Sequence, residues 1–119
     1  MTVKDLFFNI DSNVDFNKLT KHAKIIILCF CKKGCDPCIR SNNEISKKLE
    51  KGTKFFRSKS FDGSYDVLKD KGVLIYIDSE SKDRKSKDLM NRYDIDCYPT
   101  YINHVAEKEI ELEDLLKLF

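Results

Sequence analysis

The sequence predicts an α/β protein with a central mixed sheet and helices on both faces of it. Two observations lead to this class. Apolar segments of strand length alternate with segments of helical periodicity along all 119 residues. The two most apolar segments, Ile25–Cys31 and residues 73–77, are rich in β-branched residues without polar alternation, as expected of strands buried on both sides. The length predicts a single domain spanning residues 1–119.

In the first half of the chain, two predicted strands and two predicted helices alternate. Residues 6–10 form a predicted strand, and residues 11–13 form a turn that offers helix caps. A short helix over residues 15–22 leads into the central strand, Ile25–Cys31. A longer polar helix then covers residues 39–51.

The predicted helix over residues 39–51 has one inward stripe. Ile39, Asn42, Ile45 and Leu49 fall near this stripe at helical spacing, while charged residues occupy the rest of the surface. We therefore expect these four side chains to face the sheet.

The second half of the chain continues the alternation after an ambiguous segment. Residues 53–72 mix aromatic residues with turn formers, and the pattern assigns only a helical turn at 66–71, with 55–56 either extending the preceding helix or packing beneath it. The remaining predicted elements are a strand at 73–77, a helix at 81–93, a strand at 100–104, a strand at 107–110 paired back on it, and a helix from 111. The predicted order is β-α-β-α-β-α-β-β-α.

Composition excludes several classes of protein. Charged residues make up 35% of the chain, but the net charge is only +2, so we expect no nucleic-acid partner. No apolar run approaches membrane-spanning length, and the amino terminus lacks a secretory pattern. Five cysteines without such a signal predict a cytoplasmic protein with free thiols and one reversible pair.

The pair Cys35 and Cys38 stands where the central strand ends and a helix begins. A Cys-x-x-Cys motif in this position predicts a dithiol redox site. Unpaired backbone N–H groups at a helix start stabilise a thiolate at Cys35, and Cys38 follows one turn later on the same face. Pro37 suits the first helical turn because its missing N–H costs no hydrogen bond there.

These residues resemble the thioredoxin family. The resemblance is carried by the order of elements, the Cys35-Asp36-Pro37-Cys38 motif and the Tyr98-Pro99-Thr100 step. The spacing Tyr93-x-Ile95-x-x-x-Pro99 and the strand-ending Asp78 also match that family. The resemblance implies a thioredoxin fold and a protein-disulfide reductase or oxidoreductase.

The resemblance also implies a division of roles around the dithiol. Cys35 is the expected nucleophile, which attacks a substrate disulfide, and Cys38 is the expected resolving cysteine. A cis peptide before Pro99 is expected to form a wall opposite the dithiol. The residues expected to bind substrate are Gly34, Asp36, Pro37, Tyr98 and Pro99. Cys97, where some eukaryotic thioredoxins carry an extra cysteine, is either a regulatory thiol that links a dimer on oxidation or a loop-packing residue.

Four positions depart from the family pattern. Gly34 and Asp36 replace a tryptophan and a glycine, while Cys29 and Leu74 replace a buried aspartate and its lysine partner. Losing both charges together avoids an unpaired buried charge. Without that aspartate, Cys38 is expected to rely on water or Asp36 for its deprotonation.

Two alternatives to the enzyme remain open from the residues. One is a binding module that holds a partner in the groove beside Pro99 with little turnover. The other is a zinc or iron–sulfur protein using Cys29, Cys31, Cys35 and Cys38, which we disfavour because strand geometry predicts that the first two sulfurs point away from the helix start. The enzyme is expected to be a monomer with no metal and no cofactor beyond a Cys35–Cys38 disulfide. Its expected partners are protein disulfides and a disulfide reductase or another dithiol as electron donor.

Overall fold

A computed structural model describes residues 6–10 and 15–119, so the predicted turn at 11–13 lies outside the described residues. The strands are β1 (Phe8–Asn9), β2 (Ile25–Cys31), β3 (Gly72–Asp78), β4 (Thr100–Asn103) and β5 (Lys108–Glu109). The α-helices are α1 (Phe16–His22), α2 (Asp36–Lys51), α3 (Arg84–Arg92) and α4 (Leu112–Leu116). Short 3₁₀ helices cover Ser58–Ser60 and Tyr65–Leu68.

Within the described residues the strands form one mixed sheet in the order β1-β3-β2-β4-β5. β1 and β2 both pair parallel with β3, whereas β4 pairs antiparallel with β2 and with β5. The predicted α/β class with a mixed sheet is confirmed. β2 is central, and its residue Cys29 lies opposite Tyr76 of β3 and Tyr101 of β4.

Helices cover both faces of the sheet, as predicted. On one face, α1 and α3 bury Leu19 and Leu89 against the sheet. On the other face, α2 and α4 bury Ile45, Leu49 and Leu115. We call this second side the α2 face, because the candidate site and its supporting side chains lie on it.

No helix in the described part of the chain is both long enough and apolar enough to cross a membrane.

Several predicted boundaries were wrong, because side-chain caps rather than apolar periodicity set the helix starts. α2 begins at Asp36 instead of 39, since Cys35 is its N-cap. α3 begins at Arg84 instead of 81, since the Asp83 carboxylate accepts the N–H of Ser86.

The two edge strands of the sheet, β1 and β5, are also shorter than predicted. The strand expected at 6–10 is reduced to Phe8–Asn9, and the one expected at 107–110 to Lys108–Glu109. Phe55 does not extend α2. It forms an isolated parallel bridge with Gly72 at the start of β3. The helical turn predicted at 66–71 is a 3₁₀ helix at Tyr65–Leu68, and the 3₁₀ helix at Ser58–Ser60 was not predicted.

Candidate functional site

Cys35 is the residue at which β2 gives way to α2. Its backbone is extended, and its Sγ accepts a hydrogen bond from the backbone N–H of Cys38 at 3.3 Å. This is the hydrogen bond that a serine or aspartate N-cap side chain makes. The Cys35 sulfur therefore lies at the amino-terminal, positive end of the dipole of a 16-residue helix.

Cys38 lies directly behind Cys35 and is almost fully enclosed. Only 2% of the residue is exposed, whereas Cys35 is partly exposed. Burial raises the pKa of the Cys38 thiol, and a hydrogen bond to Cys35 raises it further, while the backbone N–H of Lys32 acts in the opposite direction. The Cys38 thiol is thus enclosed, and the Cys35 thiol is the accessible one of the two.

The wall opposite Cys35 is formed by the segment before β4. The Cys35 thiol is directed at the carbonyl oxygen of Tyr98, 3.8 Å from Sγ, and the Tyr98–Pro99 peptide is cis. Tyr98 and Pro99 are both half-buried. The structure therefore brings together residues that are 63 positions apart in sequence.

The residues around the dithiol are exposed, and they include both charged and apolar side chains. Gly34, Asp36 and Pro37 all lie open to solvent. Gly34 has a φ of +76°, which suits glycine because a side chain strains the backbone in this region. Ile39, predicted to face the sheet, is instead 53% exposed beside Cys38. The inward stripe begins with Cys38, one residue earlier, so the rotation of the helix turns Ile39 outward.

Beneath the dithiol, the α2 face holds a polar cluster that the sequence did not reveal. The Nδ2 of Asn42 lies 3.5 Å from the Sγ of Cys31, and the Tyr101 hydroxyl donates to the Oδ1 of Asn42 at 3.4 Å. All three residues are buried. Asn42 was predicted to lie on the inward stripe, but the sequence does not indicate which polar groups a buried asparagine contacts.

The expected direction of the Cys31 side chain was wrong. Cys31 was predicted to point away from the helix start, but its side chain lies on the α2 face, where its Sγ is 3.5 Å from the Nδ2 of Asn42. The reason is that Cys31 is the last residue of β2 and packs in the core cluster that α2 covers. Burial raises the pKa of Cys31 to about 12, so this group is a thiol at neutral pH.

Cys29 lies on β2, two residues before Cys31. It is fully buried, and burial raises the pKa of its thiol well above the ordinary value. Leu74 is also fully buried on the same face. The floor of the site therefore contains a neutral thiol and a hydrocarbon side chain at these two positions.

All five cysteines are free thiols. Within residues 6–10 and 15–119, no three or more cysteine, histidine or acidic side chains lie together in a group that could hold a metal ion. Cys97 is exposed, and its Sγ lies 3.7 Å from the Thr100 hydroxyl. Both alternatives for Cys97, a reactive thiol and a loop residue, are compatible with that placement.

No protein-family model matches the chain, and no curated protein matches it. One chain of the solved structure described as the crystal structure of a ferredoxin:thioredoxin reductase and thioredoxin f2 complex is similar, with 17% identity and a TM-score of 0.48. That similarity covers 98% of this chain and 94% of the other.

Proposed function

We propose that this protein is a thiol–disulfide oxidoreductase of the thioredoxin family, with a thioredoxin fold, that reduces or exchanges protein disulfides. The observation that carries the proposal is the position of Cys35. Its sulfur caps a long helix, belongs to a partly exposed residue, and accepts a hydrogen bond from the backbone N–H of the second cysteine, Cys38. An accessible sulfur at a helix start, with a second thiol one turn behind it, suits disulfide exchange.

The reaction has two displacement steps. The Cys35 thiolate attacks one sulfur of a substrate disulfide, forming a mixed disulfide and releasing the other substrate sulfur as a thiolate. Cys38 then loses its proton and attacks the Sγ of Cys35. A Cys35–Cys38 disulfide forms and the remaining substrate sulfur leaves as a thiolate. The substrate gains two electrons and the protein loses them, so an external disulfide reductase or dithiol must restore the thiols.

The rim suits an extended protein segment as the substrate. The substrate-binding residues that we propose are Gly34, Asp36, Pro37, Tyr98 and Pro99. Gly34 leaves space over the dithiol, since nothing lies within 4 Å of where its side chain would begin. The exposed Ile39 adds an apolar contact next to the nucleophile.

Insulin reduction with dithiothreitol as electron donor tests the proposal. All proteins carry Cys97→Ser, so that the exposed third thiol does not contribute. We expect the background protein to accelerate precipitation of the insulin B chain and Cys35→Ser to abolish that acceleration. Cys38→Ser is expected to accumulate a mixed disulfide through Cys35. Equal rates with and without Cys35 contradict the enzyme and favour the binding module.

A further inference from the structure

The proposed dithiol chemistry does not use the basic stretch at residues 47–59. This stretch holds six lysine or arginine side chains and one acidic side chain, although the net charge of the whole chain is only +2. It covers the end of α2 and the segment that follows. Cys35 caps the opposite end of α2, and 16 residues at about 1.5 Å each make this helix about 24 Å long. A site at the basic stretch is therefore remote from the dithiol and independent of the proposed function.

A cleft of about 220 Å³ opens beside the end of α2. Its lining includes the cationic side chains of Arg57 and Lys71, the hydroxyl of Ser60 and the ring of Phe56. No acidic residue of the described part of the chain lines it. The cleft is smaller than the roughly 300–1,000 Å³ of pockets that take drug-sized ligands. It therefore suits a compact ligand, and its two cations favour a negatively charged one.

Arg57 is half-buried, and its charge is not neutralised by the protein. Within residues 6–10 and 15–119 its guanidinium has no ion pair and donates no hydrogen bond. A guanidinium keeps its proton at any ordinary pH, and a partly dehydrated charge is stabilised by an opposite charge. Its planar set of N–H donors matches two oxygens of a phosphate at once. Arg57 therefore indicates an oxyanion as the ligand of the cleft.

Lys71 supplies the second charge, and a hydrogen bond fixes its direction. Its Nζ donates to the carbonyl oxygen of Thr53 at 2.6 Å, and Thr53 also lines the cleft. An ammonium has three N–H donors, so two remain for a ligand. No carboxylate pairs with Lys71 in the described part of the chain. The hydroxyl of Ser60 adds a neutral donor to the two charged groups.

The charges around the cleft also favour an anion. Lys54 and Lys59 are exposed in the same basic stretch, although they do not line the cleft. The carboxyl end of the α2 dipole is negative and acts against an anion, but Lys48 and Lys51 lie in the last turn of this helix and offset that effect. Clustered cations of this kind raise the local concentration of anionic ligands.

We propose that this cleft binds the phosphate group of a small phosphate ester. Arg57 donates to two phosphate oxygens, while Lys71 and Ser60 contact the remaining ones. The organic part of the ester packs against the half-buried ring of Phe56. A phosphate monoester carries nearly two negative charges at neutral pH, which matches the two cations of the lining.

Titration of the ¹⁵N-labelled protein with phenyl phosphate near neutral pH tests the site. We expect saturable shifts of the amide signals of Gly52, Thr53 and Arg57. Inorganic phosphate is expected to bind less tightly, because it has no ring to pack on Phe56, and phenol is expected to give no saturation. Equal affinity for inorganic phosphate or for phenol overturns the assignment of an ester. Shifts that saturate with none of the three compounds overturn the site itself.

Substitutions identify the groups that hold the phosphate. Arg57→Gln and Lys71→Gln are each expected to weaken the binding of phenyl phosphate about tenfold. Arg57→Lys is expected to weaken it less, because the charge remains while the planar set of donors is lost. Lys69→Gln is the matched control, since Lys69 is exposed nearby in sequence and does not line the cleft. An equal loss in Lys69→Gln indicates attraction by the basic surface as a whole and overturns the proposal.

Thermal unfolding gives a second measurement that also reports whether each variant is folded. Saturating phenyl phosphate is expected to raise the Tm of the unmodified protein, because a ligand that binds only the native state stabilises it. The increase should shrink in Arg57→Gln and persist in Lys69→Gln and Cys35→Ser. An undiminished increase in Arg57→Gln overturns the assignment of Arg57. Loss of the increase in Cys35→Ser places the ester at the dithiol and overturns the cleft, whereas a failed insulin reaction leaves this result unaffected.

Discussion

Asn42 of α2 donates from its Nδ2 to the sulfur of Cys31, 3.5 Å away at the end of β2. Through this contact a polar side chain connects the helix that carries the dithiol to the strand beneath it. The Oδ1 of the same amide accepts from Tyr101 of β4. One buried asparagine thus has partners on two neighbouring strands, which holds the first half of α2 in place over the sheet.

Replacing Asn42 is expected to destabilise the protein more than removing its partner hydroxyl. Asn42→Leu keeps a similar volume but leaves buried polar groups without their partner, so we expect a loss of about 1–3 kcal/mol in the free energy of unfolding. Tyr101→Phe is expected to cost about 1 kcal/mol. Urea denaturation of both variants and the double variant measures the coupling. Strictly additive effects contradict a direct interaction.

Alkaline pH is expected to destabilise the reduced protein. Burial raises the pKa of Cys31 from 9.0 to about 12, and Cys29 and Cys38 are raised as well. The native state therefore keeps protons that the unfolded chain loses above about pH 9, so stability is fully present below that pH and falls as pH rises. As pH rises between the pKa of such a thiol in the unfolded chain and its pKa in the native state, the free energy of unfolding falls by about 1.4 kcal/mol per pH unit. Urea midpoints should fall from about pH 9 upward, and less steeply in Cys31→Ser. A flat profile contradicts the burial of these thiols.

His104 is expected to make the protein sensitive to mild acid. Burial lowers the pKa of His104 below 6.5, with Arg92 and Lys85 adding to the effect. The Nδ1 of His104 lies 2.6 Å from the Tyr93 hydroxyl. The unfolded chain takes up the proton first, so this contribution to stability is present above about pH 6.5 and is lost as pH falls below it. NMR titration should give a pKa under 6.5, and Arg92→Gln should raise it. A pKa at or above 6.5 contradicts this account.

Replacing Gly34 is expected to destabilise the protein because of its backbone conformation alone. Space is open where its side chain would begin, but its φ of +76° lies in the left-handed region. Gly34→Ala is expected to lower the free energy of unfolding by about 1 kcal/mol. Gly34→Asn is the control, because asparagine tolerates this region better and should cost less. Equal losses for both would argue against backbone strain as the cause.

Asp36 is expected to select among charged disulfides. It is exposed and directly follows Cys35, so its charge acts on whatever approaches the nucleophile. Asp36→Asn should increase the rate with the anionic dithiobis(nitrobenzoate) about threefold and decrease the rate with the cationic cystamine. Both effects should shrink in high salt. Glu44→Gln, on the exposed side of α2, is the matched control and should change neither rate. A uniform change with both reagents points instead to a disturbed helix start.

The sequence by itself determined the α/β class, the order of elements and the central strand, because these follow from apolar runs and helical periodicity. The bounds of β2 match the prediction at both ends. It also determined that Cys35 and Cys38 lie at a strand–helix junction, since three-residue spacing on a helix is local geometry. The first residues of α2 and α3 could not be predicted as well, because the caps Cys35 and Asp83 each depend on a single side-chain contact.

Only the tertiary structure decided what surrounds the dithiol. Cys31, Asn42 and Tyr101 come from a strand, a helix and a second strand, and Tyr101 is 59 positions from Asn42. Their meeting depends on the β2–β4 register and on the rotation of α2 about its axis, which also turned Ile39 outward. Residue patterns report whether a side chain is buried, but not which polar atom it meets there. The stretch from Cys35 to Cys38 was evident in the sequence, while the contacts of Asn42 with Cys31 and Tyr101 were not.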